Sequence, residues 1–144
     1  MLLADFTLPS EPGNERLAMR RVADAVAPLG LSPQRLERLK TAVAEATMNA
    51  IEHGNQNRPE LPVTIRVIAS ESKVSVQITD QGEGRPIPDP ETPDLDAKLA
   101  GEDTPRGWGL FLIKNMVDEM QASGDEHHRT LELTLYLEAG QHAG

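Results

Sequence analysis

The chain has 144 residues, a length that suits one domain with a sizeable core, so we expect a single domain over residues 1–144. Its 23 acidic and 14 basic residues give a formal net charge of −9, which argues against direct binding to nucleic acid or to a membrane surface. Cysteine is absent, which excludes disulfides and cysteine-ligated metals, and the sequence contains neither a secretory signal nor a stretch that would span a membrane. We therefore expect a cytoplasmic protein.

The first part of the chain predicts one strand followed by two helices. Residues 2–8 indicate a short strand, and helical periodicity follows over about residues 14–29. Ser32 and Pro33 form a strong start signal for the second helix, because a capping hydroxyl precedes a proline at the first helical position. Apolar residues then recur every three or four positions, and we expect this helix to end near Gly54.

The second part predicts two strands, a long loop, a helix and a last strand. Alternating apolar residues indicate strands at residues 63–69 and 73–79. Residues 85–106 are rich in proline and acidic residues, which is typical of a long mobile loop. Helical periodicity returns over residues 110–121, and alternation over residues 130–137 predicts the final strand.

A polar stripe on the second helix is the first candidate for chemistry. Glu45, Asn49 and either Glu52 or His53 recur at helical spacing, opposite the apolar face of the helix. Taken alone, such a stripe is more commonly a solvent-exposed face. The functional interpretation gains weight from the two glycine-containing motifs that follow it along the chain.

Those two motifs are each suited to one part of a nucleotide. Asp80 ends a predicted strand and is followed by Gly82 and Gly84, which suits a carboxylate that accepts a hydrogen bond from an exocyclic amine while bare backbone packs against a base. Gly107 and Gly109 lie directly before a predicted helix, where backbone amides and the helix dipole favour phosphate. Each motif alone is also compatible with a simple glycine turn.

Together, and in this order, the three segments resemble the nucleotide-binding motifs of the superfamily of gyrase, heat-shock chaperone, histidine kinase and mismatch-repair ATPases. Within it, the chain is most similar to the bacterial anti-sigma-factor serine/threonine-protein kinases, above all in residues 41–54 and 107–119. The resemblance implies an α/β two-layer sandwich, with a mainly antiparallel sheet and helices on one face. It also implies binding of ATP and Mg²⁺ beneath a flexible lid at about residues 85–106.

The resemblance further implies roles for individual residues. Glu45 would be the general base, Asn49 would coordinate magnesium through its amide oxygen, and Asp80 would read the adenine amine. The other expected nucleotide contacts are a water-mediated contact from Thr130, packing of Gly82 and Gly84 near the base, and phosphate contacts from His53, Arg106, Gly107 and Gly109. Trp108, between two of these glycines, is larger than the residues usual there, and we expect it to pack beneath the lid.

Two functions remain open from the sequence. The first is a protein-serine kinase and anti-sigma factor that binds a sigma factor and phosphorylates an anti-sigma-factor antagonist. The second is a binding module that uses ATP only to stabilise a partner-binding conformation. The presence of both Glu45 and Asn49 favours the kinase, since a module without catalysis could lose the base. A sensor histidine kinase fragment is disfavoured, because no histidine lies in a plausible phosphoacceptor helix.

The sequence gives weaker evidence about the surfaces that bind protein partners. Arg16, Arg20 and Arg21 on the first helix could meet an acidic patch of a sigma factor, although exposed arginines on such helices are usually just solvated. Related kinases tend to dimerise, and the first strand could pair edge to edge with a second copy. A homodimer is therefore an open expectation.

Overall fold

The computed structural model describes residues 1–82 and 106–137, with only the backbone described for residues 106–108. The elements, in chain order, are β1 (Leu2–Pro9), α1 (Asn14–Val26), α2 (Pro33–Asn49), β2 (Pro62–Ala69), β3 (Lys73–Asp80), α3 (Arg106–Met116), β4 (Glu119–Gly124) and β5 (Arg129–Tyr136). The lid predicted at residues 85–106 lies outside the described residues, except for Arg106, at which α3 begins.

The described strands form one five-stranded sheet in the order β1-β2-β3-β5-β4, and every neighbouring pair is antiparallel. Alternate residues of a strand point to opposite faces, so one face is apolar and packs against the helices. The other face carries polar cross-strand pairs, such as Gln77 with Glu132 at 2.8 Å. The expected two-layer sandwich with helices on one face of an antiparallel sheet is confirmed.

The core lies between the apolar face of the sheet and the buried sides of the helices. Its largest fully buried side chains include Val22, Leu39, Val43, Ile51, Ile65, Val67, Ile113 and Leu133. Full burial of one such side chain stabilises the fold by about 1.5–3 kcal/mol, so this layer fixes the position of the strand ends beside it. Among the described residues, no helix is both long enough and apolar enough to cross a membrane.

The second helix begins and ends where the sequence predicts, but its last turn is unusual. The Ser32 hydroxyl accepts a hydrogen bond from the backbone N–H of Arg35 at 3.3 Å, as expected for an N-cap. After Asn49 the chain continues as a π-helical turn, Ala50–Gly54, and the N–H of Asn55 donates to the carbonyl of Ala50 at 2.8 Å. A π-turn is frequent at functional sites, and here it brings Gly54 against β3.

The prediction for residues 110–121 is wrong at both ends. The helix is Arg106–Met116, so Gly107 and Gly109 belong to its first turn, and the strand β4 follows at Glu119–Gly124. Val117 and Met120 fit a helical repeat, while Met120 and Ala122 also fit the alternation of a strand. The segment forms a strand because it pairs with β5, with Met120 opposite Leu133.

Candidate functional site

A small cavity lies between the end of α2, the start of α3 and the adjacent ends of β3 and β5. Its polar lining consists of Asn49, Asp80 and Arg129, and its apolar lining of Ala46, Ala50, Ile78, Leu110 and Leu131. The space enclosed between these side chains measures about 20 Å³, enough for a water molecule. Asn49 and Asp80 thus share one cavity, although 31 positions separate them in the sequence.

Asp80 is buried and paired with an arginine. The Nε of Arg129 donates to Oδ1 of Asp80, and its Nη2 donates to Oδ2, both at 3.2 Å. Arg129 is 3% exposed and Asp80 is 5% exposed. The two residues lie opposite each other in the β3–β5 ladder, on the face of the sheet that packs against the helices. A bidentate guanidinium–carboxylate pair is strong and fixes the plane of the carboxylate.

Gly54 and Gly82 determine where the carboxylate of Asp80 lies. A Cβ on Gly54 would lie 2.3 Å from Cγ of Asp80, so the π-turn and β3 approach each other only because residue 54 has no side chain. Gly82 donates its backbone N–H to Oδ1 of Asp80 at 2.8 Å. A Cβ on Gly82 would lie 2.4 Å from Nε of Arg129, so glycine is required there as well.

Asn55 anchors the turn that follows β3, and sequence reasoning missed it. Its side chain is fully buried, and its Oδ1 accepts a hydrogen bond from the backbone N–H of Gln81 at 2.7 Å. Its Nδ2 contacts the Ser10 hydroxyl at 2.9 Å and the carbonyls of Leu61 and Pro62 at 3.1 and 3.2 Å. Asn55 therefore ties the end of α2 to the starts of β2 and of the turn after Asp80.

On the helix side of the cavity, Asn49 faces Gly109 of α3. A Cβ on Gly109 would lie 3.3 Å from Nδ2 and 3.5 Å from Oδ1 of Asn49, which places the first turn of α3 against the amide. The Nδ2 atom is buried and has no hydrogen-bond partner among the described residues. A buried donor without a partner costs free energy, which makes Asn49 a candidate for contact with a ligand.

Glu45 lies one helical turn before Asn49 and is half-buried. Burial raises the pKa of its carboxyl above the ordinary value of 4.5, and the like charge of Glu52 raises it further. A raised pKa makes a carboxylate a better proton acceptor when it is ionised.

The other predicted site residues lie outside the lining of the cavity or outside the described side chains. His53 is exposed on the π-turn, and Arg106, Gly107 and Gly109 form the first turn of α3, while Gly84 lies outside the described residues. Thr130 is not brought into the cavity: it lies on the opposite face of the sheet, where its hydroxyl bonds with that of Thr79 at 2.8 Å.

Arg129, the residue before Thr130, holds the position beside Asp80, and sequence reasoning did not single it out. The signal was available in the alternation of β5, because Leu131, Leu133 and Leu135 form the buried face and Arg129 continues it by one step. A buried arginine at such a position needs a carboxylate partner, and Asp80 is the residue opposite.

The chain is similar to proteins of one known family. Residues 8–135 match the family described as Histidine kinase-like ATPase domain, and the chain belongs to this family. A curated relative from Bacillus cytotoxicus, named Anti-sigma F factor, is 35% identical over 126 residues, which are 86% of this chain and 85% of the relative. Its namesake from Bacillus thuringiensis is 34% identical over the same length. The expected superfamily and the resemblance to bacterial anti-sigma factors are confirmed.

Two solved structures share the fold. One contains the RsbU and RsbW domains of a Mycobacterium tuberculosis protein, with a TM-score of 0.66 and 18% identity over 93% of this chain. The present chain spans 32% of that longer chain. The other is the SiaB-SiaC complex from Pseudomonas aeruginosa, with a TM-score of 0.65 and 15% identity, covering 93% of this chain and 89% of that one.

Proposed function

We propose that the chain is an ATP-dependent protein-serine kinase and anti-sigma factor, which binds a sigma factor and phosphorylates an anti-sigma-factor antagonist. The observation that carries this proposal is the convergence of Asn49 and Asp80 on one cavity, with Glu45 one helical turn away on the same helix. Relatives named Anti-sigma F factor at 34–35% identity support the choice of partner class.

Adenine recognition is assigned to Asp80. Its carboxylate is held at the end of β3 by Gly82 and by contact with Gly54, and it lines the cavity with the apolar Ile78 and Leu131. An ionised carboxylate accepts a hydrogen bond from the exocyclic amine of adenine, while the apolar side chains pack against the ring. The first turn of α3 presents backbone N–H groups suited to phosphate, which assigns Gly107 and Gly109 to the phosphate end of the site.

Asn49 fits a magnesium-nucleotide complex. Magnesium in such sites is held by one or two protein oxygens together with phosphate oxygens and water, so a single amide beside the phosphate end is sufficient. The Nδ2 of Asn49 has no hydrogen-bond partner among the described residues, which supports a role of this amide toward a ligand, with Oδ1 as the atom that would coordinate magnesium. When bound, magnesium would neutralise charge that develops on the phosphates.

Glu45 is assigned the role of general base. Its raised pKa and its place one turn from Asn49 suit it to accept the proton of a partner's serine hydroxyl. The serine oxygen attacks the γ-phosphorus as that proton moves to Glu45, and ADP departs with the electrons of the broken bond.

The partner surface is assigned less specifically. Arg16 and Arg20 are exposed on α1, and Arg21 places its guanidinium over the Phe6 ring at 3.9 Å, a contact that holds α1 on β1. The first two are free of that packing role and suit an acidic patch of a sigma factor. β1 lies at the edge of the sheet, so edge-to-edge pairing of two copies is proposed for a homodimer.

The test is transfer of label from γ-labelled ATP, with magnesium, to candidate antagonist proteins. Glu45→Gln should lower the initial rate by about 10²-fold or more, because a positioned general base contributes 10²–10⁴-fold. Glu37→Gln, on the exposed side of the same helix, is the matched control and should transfer label at the rate of the unaltered protein.

Two outcomes separate the alternatives. Absence of transfer to any antagonist, together with clear ATP binding and partner capture, would favour the binding module. Equal rates for Glu45→Gln and the unaltered protein would remove Glu45 from the catalytic role.

A further inference from the structure

Arg129, which forms a buried ion pair with Asp80, has no part in the function proposed above. Arg129 engages both oxygens of the carboxylate, and the two side chains are 7% and 4% exposed. The same carboxylate is the one assigned to the exocyclic amine of adenine. A guanidinium and a base amine are both planar N–H donors, so they compete for one acceptor.

The space enclosed between the described lining side chains is small while the pair is intact. It measures about 20 Å³, which is the space of a water molecule, and Arg129 is one of the side chains that border it. Its apolar lining residues Ala46, Ala50, Ile78, Leu110 and Leu131 are members of the buried core, where displacement disrupts packing. Arg129 has the longest side chain among the described lining residues, and it is not a member of the apolar core.

Gly82 shows that this space is shaped around the guanidinium. A Cβ at residue 82 would lie 2.4 Å from Nε and 3.0 Å from Cδ of Arg129, so only bare backbone accommodates the arginine. A flat base that replaced the guanidinium would meet the same bare backbone. The position that the arginine holds is therefore of the kind that suits a planar ligand.

We propose that Arg129 occupies the base site of the nucleotide-free protein and has to release Asp80 before a nucleotide base enters. The proposal rests on the assignment of Asp80 to adenine. Asp80 keeps a planar N–H donor in both states, so the exchange avoids a bare buried carboxylate. Arg129 is then a residue that sets nucleotide affinity and entry rate, because apparent affinity falls with the fraction of molecules in the open state.

The first experiment compares nucleotide affinity in the unaltered protein, Arg129→Met and Arg129→Lys by calorimetry. The probes are AMP-PNP and tripolyphosphate, which has the phosphates and lacks the base. Loss of a cation weakens anion binding in general, so the readout is the ratio of the two affinities. That ratio should rise on the order of tenfold in Arg129→Met and less in Arg129→Lys. Arg66→Met, which alters an exposed cross-strand arginine, should leave the ratio unchanged.

The second experiment uses the unaltered protein, and it decides the question if Arg129→Met does not fold. The side-chain Nε–H signal of Arg129, assigned by its loss in Arg129→Lys, should exchange slowly with solvent in the absence of nucleotide. Saturating AMP-PNP should abolish that protection. A signal that stays protected with AMP-PNP bound would overturn the proposal.

The outcomes separate this proposal from the function on which it rests. If the unaltered protein binds AMP-PNP and Arg129→Met binds it no better relative to tripolyphosphate, Arg129 does not compete with the base and nucleotide binding stands. If neither protein binds AMP-PNP, the nucleotide function itself fails and the competition fails with it. Binding by Arg129→Met alone would support an especially strong competition.

Discussion

The two sides of the cavity differ in how completely their polar groups are paired. On the sheet side, Asp80 is bound by Arg129 and by the N–H of Gly82, and all three are buried. On the helix side, Nδ2 of Asn49 has no partner among the described residues, and the pKa of Glu45 is raised by burial and by Glu52. The polar groups on the sheet side are thus paired within the described part of the fold, while Nδ2 of Asn49 on the helix side is not.

Removal of the buried Asp80–Arg129 ion pair should have the largest effect on stability. Arg129→Met leaves the carboxylate of Asp80 buried without its cation, which costs about 3–5 kcal/mol in the free energy of unfolding. The matched control is Arg66→Met, since Arg66 and Asp5 form the same kind of cross-strand pair on the exposed face, at 3.6 Å. Arg66→Met should lower the free energy of unfolding by only about 0–1 kcal/mol. Denaturant unfolding of both variants provides the measurement. Equal losses would show that burial of the pair is unimportant.

The next effect is expected at the turn that carries Asp80. Asn55→Ala removes the acceptor for Gln81 and the donor for Ser10 and two carbonyls, which should cost about 3 kcal/mol because buried polar groups are left unpaired. Asn115→Ala, whose amide donates to Phe111 at an exposed site, is the control and should change stability by about 0.5 kcal/mol or less. A small effect of Asn55→Ala would mean that water replaces its side chain.

A smaller effect is expected from filling the space between the two sides. Gly54→Ala would place a Cβ 2.3 Å from Cγ of Asp80, and the required shift should cost about 1–3 kcal/mol. Gly109→Ala is the graded control, since its Cβ would lie 3.3 Å from Nδ2 of Asn49, where a small movement of one side chain suffices. Thermal unfolding should rank Gly54→Ala well below Gly109→Ala in stability, and the reverse order would contradict the packing of Gly54 on Asp80.

The smallest effect concerns the pH dependence of the helix side. Because the pKa of Glu45 is raised, the folded protein holds this proton more tightly than the unfolded chain. The stability that this group contributes is full below its ordinary pKa of 4.5 and is lost as the pH rises through the raised value. Glu45→Gln cannot ionise, so it should gain in melting temperature relative to the unaltered protein across that window.

Glu52→Gln sharpens this last prediction. Removal of the like charge should lower the pKa of Glu45 part of the way toward its ordinary value, so that less stability is lost as the pH rises. Melting temperatures of the three proteins over a pH series provide the measurement. Parallel curves for all three would show that Glu45 is ionised as easily in the folded protein as in the unfolded chain.

Local sequence patterns were sufficient to locate the elements whose caps and apolar repeats lie within the element itself. The cap at Ser32 and the apolar repeat up to Gly54 located the second helix, because capping and amphipathicity act within a few turns of chain. The strand at residues 119–124 was missed, since Met120 fits a helical and an extended repeat equally well. Only its pairing with Leu133 on β5 resolves that ambiguity.

The sequence by itself determined which chemical groups are available: the order of Glu45, Asn49 and Asp80, with the glycines that follow, indicated the family and the kind of site. The tertiary structure alone decided how those groups are paired. Arg129 meets Asp80 through the register of two strands, and Asn55 meets Gln81 across the end of a π-turn. Such contacts depend on register and on packing between distant segments, which no local pattern of residues encodes.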